Sequence, residues 1–349
     1  MPSKPDFVFH VGKQKVPTWA DVELLIEHTD SAKEPVTEKF LQWLRCAWSV
    51  FNHQPYRRHL YGILFLKPCG YICYADHGCA AYSERLYFAE NAQHTQFLID
   101  FLLGFIAEPE HHGKDLTVTK VNDWVCIQHA GKSWAKLSEL WYHPCLIGRY
   151  IRISLVEHQS NKVVMKSTWG EKLPEEASPP HEAEILSMLL RANVRGLPQP
   201  YDLESAIVRD RSGSEMETCS FPKNCEVVLP AKTEKSMLNM QKAFTSSRTS
   251  KVLVPVATFG IAGEEILHRA KIQRRDFNKP LEVRRRLTRV MMSYCKPLRE
   301  AMRGEGPKTL MQSIRDSMIV YYEAHKLPES GFIHGGKYFM NVLCVSANE

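Results

Sequence analysis

The chain has 349 residues, of which 44% are hydrophobic and 24% are charged, and its net charge is +6. This length predicts about two domains, and the ordinary composition excludes collagen-like, coiled-coil and wholly disordered proteins. The positive charge is too small to give strong evidence for nucleic-acid binding on its own.

Signals for a membrane or for secretion are not found in the sequence. The most apolar stretches, 61–66 and 97–107, are shorter than the roughly 18 apolar residues of a spanning helix. The first residues have no apolar core of the kind found in a secretory signal. No two of the 10 cysteines have C-x2-C spacing, which favours free thiols over a zinc or redox motif. We therefore expect an intracellular protein, cytoplasmic or nuclear, with no membrane partner.

Residues 1–115 are predicted to form a mixed α/β unit. Apolar periodicity and turn residues define its elements, which are a strand at 19–27, a helix at 38–51, a hairpin with strands at 60–66 and 71–74, and a helix at 96–107. Asp21 and Glu27 are expected to be exposed acids on a buried strand. A metal-dependent nuclease is a minor alternative for this strand, although His28 and Thr29 follow Glu27 where such enzymes carry a lysine that activates water.

The next part of the chain is rich in predicted strands. Its elements are strands at 121–129, 150–158 and 162–166, a helix at 181–191, and a buried strand within 287–298, with a later helix at 310–326. Residues 209–250 are polar, with little to bury, and we interpret them as a long loop or disordered insertion.

Basic residues are concentrated between positions 268 and 289. They are Arg269, Lys271, Arg274, Arg275, Lys279, Arg284, Arg285, Arg286 and Arg289. Two interpretations remain open, a solvated surface segment or a patch that faces phosphate or an acidic partner.

Several strings occur in an order that is typical of protein kinases. They are VFNHQPYRR at 50–58, DHG at 76–78, VVMKSTW at 163–169, EAEIL at 182–186, KPL at 296–298 and FIHGGKYFMNVL at 332–343. Each string is weakly specific, but the shared order is much stronger evidence. Over most of its length the chain therefore resembles the fungal-type protein kinase family.

The resemblance implies an α+β fold with a kinase-like small lobe. By this comparison Lys166 would hold the phosphates of ATP, and Glu182 would orient Lys166. Gly148 would belong to the glycine turn over the nucleotide, and Asn341 would be a ligand of Mg²⁺. The implied activity is phosphorylation of serine or threonine in a protein substrate.

The chain departs from the family pattern at the catalytic loop. Gly336 occupies the position of the catalytic aspartate, and a glycine side chain cannot accept a proton. His334 is interpreted as structural, so no catalytic residue is assigned. Tyr150 replaces a glycine of the nucleotide turn and is expected to crowd the phosphates. No D-F-G string follows Asn341, which predicts an incomplete large lobe.

The expected organisation has three parts. They are an N-terminal unit at 1–115, a small lobe at 116–298 with a polar insertion at about 209–280, and the truncated start of a large lobe at 299–349. The expected function is a degraded kinase. The alternative is a non-catalytic module of the pseudokinase type that binds a protein partner.

Overall fold

The computed structural model describes residues 5–10, 17–30, 36–107, 112–121, 124–143, 145–172, 182–193, 199–201, 206–210, 212–218, 284–294, 296–297, 315 and 343–344. The chain divides into two compact units. Unit 1 comprises Met1–Asp115, Pro144–Gly148 and Thr218–Arg284, and unit 2 comprises Leu116–His143, Arg149–Glu217 and Arg285–Glu349.

The described elements of unit 1 form a sheet with one helix on each face. They are β1 (Phe7–His10), β2 (Val22–Thr29), α1 (Val36–His53), β3 (His59–Leu66), β4 (Cys69–Asp76), β5 (Ala80–Tyr82) and α2 (Ala92–Ala107). The strand order is β1-β2-β3-β4-β5. Strands β2 and β3 are parallel, which the crossover connection through α1 allows, whereas the other neighbours are antiparallel.

The side chains of β3 point alternately to the two faces of this sheet, and they pack with a helix on each face. Leu60 and Leu64 pack with the apolar face of α1, where Trp43 and Leu44 are fully buried. The intervening Ile63 packs with Phe105 of α2. Successive side chains of a strand point to opposite faces, so one strand contributes to both cores.

Unit 2 is built around an antiparallel sheet and one described helix. Its elements are β6 (Val118–Val121), β7 (Trp124–His129), β8 (Lys132–His143), β9 (Ile151–His158), β10 (Asn161–Glu171), α3 (Glu182–Arg191), β11 (Pro200–Tyr201), β12 (Arg285–Ser293), β13 (Lys296–Pro297) and β14 (Leu343–Cys344). The main sheet has the order β11-β12-β10-β9-β8-β7-β6, and β13 pairs with β14.

The main sheet of unit 2 is strongly curled. Arg289 of β12 is buried, and its guanidinium donates to the hydroxyl of Thr117 at 2.8 Å and to the carbonyl of Gln128 at 3.2 Å. Gln128 lies in β7, and three strands separate β7 from β12 in the sheet order. One side chain can bridge these strands only because the sheet bends round on itself.

The structure confirms the predicted helices at 38–51, 96–107 and 181–191, which are α1, α2 and α3. It also confirms the hairpin of β3 and β4 and the buried strand β12. The prediction of a single strand at 121–129 is wrong, because Val121 ends β6 and Trp124 begins β7, and the two residues are paired in antiparallel strands. Strand β8 was not predicted.

The prediction that 209–250 has little to bury is wrong for its first residues. Met216 is fully buried, and its amide and carbonyl bond to the backbone of Val208 and Leu287. Lys172 and Arg286 both form ion pairs with Glu215. Residues 219–250 lie outside the described part of the chain.

Two further expectations can be compared with the described residues. Six of the cysteines, Cys46, Cys69, Cys73, Cys79, Cys126 and Cys145, are free thiols. Within the same ranges, no helix has both the length and the apolar character needed to cross a membrane.

The close approach of α1 to β3 requires glycine at position 62. A Cβ atom there would overlap the indole of Trp43 and lie 2.7 Å from the carbonyl oxygen of Leu25. We expect Gly62→Ala to lower the free energy of unfolding by at least about 2 kcal/mol, because overpacking displaces a fully buried ring. Gly170→Ala is the matched control, since a Cβ at this strand position meets nothing within 4 Å. Urea titrations followed by circular dichroism measure the difference, and equal midpoints would contradict the prediction.

Candidate functional site

Lys166 lies in the middle of β10, a central strand of unit 2. Its Cα is paired with Ile153 of β9 and with Val290 of β12. Residues paired across antiparallel strands project from the same face. Val164, two residues before Lys166, belongs to one apolar cluster with Ile153 and Val290. The half-buried Lys166 therefore stands beside an apolar surface. We call the face defined by these four residues the α3 face.

Helix α3 packs on this face through Leu186, which contacts the cluster that contains Val164 and Val290. Glu182 precedes Leu186 by four residues, and helical positions four apart share one side of the helix. Glu182 is therefore located one helical turn before the residue through which α3 contacts the sheet. Its side chain lies outside what the structure describes. Glu184 is exposed.

Gly148 has a local role in unit 1. Its amide donates to the carbonyl of His77 at 2.8 Å, and its φ of +140° lies in the region that favours glycine. The neighbouring Leu146 is buried in the core of unit 1 and accepts a hydrogen bond from Nδ1 of His77. This backbone geometry accounts for glycine at position 148 without a bound phosphate.

The expectation that the ring of Tyr150 crowds the phosphates stays a prediction, but the surroundings of the ring do not favour it. The ring is buried, and the guanidinium of Arg152 lies 5.9 Å from its centroid. Arg152 is paired with Ser167, the residue after Lys166, so it projects from the opposite face of the sheet. The ring of Tyr150 is therefore not placed over the α3 face.

The basic run has mixed environments among its described members. Arg285 and Arg289 are buried, Arg284 is exposed, and Arg286 lies 3.2 Å from Glu215. Neither a solvated surface nor a ligand-facing patch fits the two buried arginines. The five basic residues before position 280 lie outside the described residues.

The catalytic-loop positions His334, Gly336 and Asn341 also lie outside the described residues. The assignment of Asn341 to magnesium therefore stays a prediction. In the ranges that the structure does describe, no group of three or more His, Cys, Asp or Glu residues is arranged to hold a metal ion.

Glu27 is fully buried, which corrects the expectation that it is exposed. It accepts hydrogen bonds from Nε2 of Gln42 at 2.6 Å and from Sγ of Cys46 at 3.4 Å. Burial raises the pKa of Glu27 to about 7, and the nearby Asp6 adds to this effect. Asp21 caps a turn by accepting from the amide and hydroxyl of Thr18. These separate structural roles do not support the nuclease alternative.

A buried ionic network in unit 1 was missed at the sequence level. Arg57 donates to Oε2 of Glu23 at 3.0 Å, to the carbonyl of Glu23 at 2.7 Å, and to the carbonyls of Val22 and His59. Lys114 also pairs with Glu23. Burial lowers the pKa of Arg57 to about 10, although Glu23 opposes the shift. The available signal in the sequence was the string VFNHQPYRR, which contains Arg57. It does not predict the contacts of Arg57, because these depend on the fold.

Comparison with known proteins gave one finding. A family model described as fungal protein kinase matches residues 4–344. No curated protein and no solved structure matches the chain.

Proposed function

Because the chain belongs to the fungal protein kinase family, we propose that unit 2 binds ATP weakly and that phosphoryl transfer to protein serine or threonine is largely lost. The observation that carries this proposal is the position of Lys166 on the face that α3 covers. A kinase uses a strand lysine, paired with a glutamate of the following helix, to hold the nucleotide phosphates. Lys166 and Glu182 are proposed for these two roles.

The surroundings of Lys166 fit a nucleotide in two further respects. Lys166 lies next to the buried apolar cluster that contains Val164 and Val290, and ligand sites commonly combine apolar side chains with a few polar groups. Glu182 lies one helical turn before Leu186, which packs on that same cluster. Asn341 is proposed as a ligand of Mg²⁺. When bound, magnesium and ATP supply the γ-phosphoryl group and neutralise charge on its oxygens.

Weak binding is proposed because the nucleotide turn is compromised. Tight phosphate binding in such turns uses backbone amides that point at the ligand. The amide of Gly148 already donates to the carbonyl of His77. Phosphate binding would then depend mainly on Lys166. We therefore propose a dissociation constant for ATP no tighter than about 0.1 mM.

The loss of transfer is proposed from Gly336. A kinase aspartate accepts the proton of the substrate hydroxyl and orients that hydroxyl. Glycine supplies neither function. The same observation favours the second candidate function, a non-catalytic module that binds a protein partner and retains the small lobe as a scaffold.

A thermal-shift titration with ATP tests the nucleotide site. At a dissociation constant of about 0.1 mM, about 1 mM ATP stabilises the protein by about 1.4 kcal/mol, which corresponds to a shift of about 2 °C for a chain of 349 residues. We expect Lys166→Ala to abolish this shift. Lys162→Ala is the matched control, because Lys162 lies on the same strand at an exposed position.

The outcomes separate the two candidate functions. A shift that needs Lys166 but not Lys162 supports the nucleotide site. No shift of the wild type at millimolar ATP would favour the interaction module alone. A shift that survives in Lys166→Ala would place the nucleotide elsewhere and contradict the proposed site.

A further inference from the structure

The N-terminal edge of the sheet in unit 1 holds two carboxylates that share one lysine. The pairing of Phe7 with Ile26 places Asp6 opposite Glu27 across the β1–β2 ladder. Nζ of Lys39 lies 3.6 Å from Asp6 and 3.8 Å from Glu27. Like charges at opposed positions weaken strand pairing, and in the described part of the chain Lys39 is the cation that compensates both carboxylates.

Helix α1 fixes the lysine and the buried carboxylate. Lys39, Gln42 and Cys46 follow the i, i+3, i+7 spacing of one helix side, and all three contact Glu27. Nζ of Lys39 also donates to Oε1 of Gln42 at 3.2 Å. Among the described residues, the charged or titratable groups around Glu27 are therefore Lys39 and Cys46 from α1 and Asp6, the residue before β1.

Asp6 immediately precedes β1 and is therefore the member of this cluster that moves if β1 leaves the sheet. Its carboxylate accepts the amide hydrogen of His28 at 2.8 Å, and β1 is the edge strand next to β2. With Glu27 neutral, Asp6 and Lys39 balance each other. With Glu27 ionised, the cluster has an additional negative charge that is fully buried and lies opposite Asp6.

We propose that Asp6, Glu27 and Lys39 form a pH-sensitive latch that holds β1 on β2 more tightly in mildly acidic than in mildly alkaline solution. Release of β1 would relieve the repulsion between the two carboxylates and uncover the outer backbone edge of β2. The latch is a property of unit 1 and does not depend on nucleotide binding by unit 2.

The direction of the pH effect follows from linkage. The pKa of Glu27 is raised to about 7 when β1 is docked. Removal of Asp6 takes away one of the causes of that increase. Docking is therefore strongest below the pKa of the released state and is lost progressively as the pH rises through about 7.

Hydrogen exchange of the peptide that covers β1 tests the latch. The exchange rate of the wild type is divided by that of Glu27→Gln at the same pH, which cancels the intrinsic effect of pH. We expect the ratio of exchange rates to be close to one at about pH 5 and to reach at least about three at about pH 8. The reason is that each unit by which the pKa of Glu27 falls on release of β1 changes the equilibrium between docked and released β1 tenfold at alkaline pH. Glu38→Gln is the matched control, because Glu38 is exposed on α1.

Two outcomes would overturn the latch. One is an unchanged ratio between the two pH values. The other is an equal change in peptides of β4, which would indicate loosening of the whole unit. Should Glu27→Gln not fold, Asp6→Asn replaces it, because removal of the like charge is expected to reduce the pH dependence of β1 exchange. Full pH dependence in Asp6→Asn would contradict the latch.

Discussion

Arg57→Ala is expected to destabilise the protein by about 3–5 kcal/mol, the cost typical of removing one partner from a buried ion pair. The guanidinium of Arg57 is fully buried, and it links β2 to the chain that leads into β3 through Glu23, Val22 and His59. Without Arg57, Lys114, whose side chain is 53% exposed, is the one cation that the described residues still place against the buried carboxylate of Glu23. The carboxylate would then be poorly compensated in a site of low dielectric.

Arg45→Ala is the matched control for this prediction, because Arg45 is exposed on α1. Its expected cost is within about 0.5 kcal/mol, as for most surface substitutions. Urea unfolding followed by tryptophan fluorescence compares the two variants. The double variant Glu23→Gln, Arg57→Ala should recover at least about 1 kcal/mol, since it removes the unpaired charge. An equal cost for Arg57→Ala and Arg45→Ala would show that the network contributes little.

Helices and regular strands were predictable from sequence because their buried apolar residues recur at one constant spacing. In α1, Phe40, Trp43, Leu44 and Ala47 recur at helical spacing, and all are buried. Such a pattern reflects the burial of one side against a sheet, whatever the rest of the fold is. The element types and approximate bounds of α1, α2 and α3 therefore follow from the chain alone.

Strand β8 was missed because its alternation is interrupted. Its pairing with β9 shifts register between Lys136 and Ser138 and again between Glu139 and Trp141. Each bulge moves the next side chains to the other face of the sheet, which breaks the two-residue period. A pattern search along the sequence cannot recognise a strand whose period changes twice within 12 residues.

The site residues differ in how far sequence could predict their surroundings. The strand position of Lys166 and the helix position of Glu182 follow from local patterns and from the family resemblance. The environments of Glu27 and Gly148 do not, because they depend on partners distant in sequence. Glu27 is buried by α1, and the amide of Gly148 bonds to His77, which lies 71 residues earlier. A buried carboxylate and a turn glycine look the same in sequence as an exposed acid and a phosphate-binding glycine.

Purified protein with ATP and magnesium is expected to transfer no radiolabelled phosphate above the level of Lys166→Met. Positioned acid–base groups contribute about 10²–10⁴-fold to enzymatic rates, and under the proposed function Gly336 occupies the position of the group that would act on the substrate hydroxyl. A thermal shift with ATP in the same preparation shows that the absence of transfer is not caused by misfolding. Gly336→Asp is the informative companion variant, because recovered transfer that needs Lys166 would identify position 336 as the limiting defect. Transfer by the wild type that disappears in Lys166→Met would instead show that the chain is an active kinase despite its glycine.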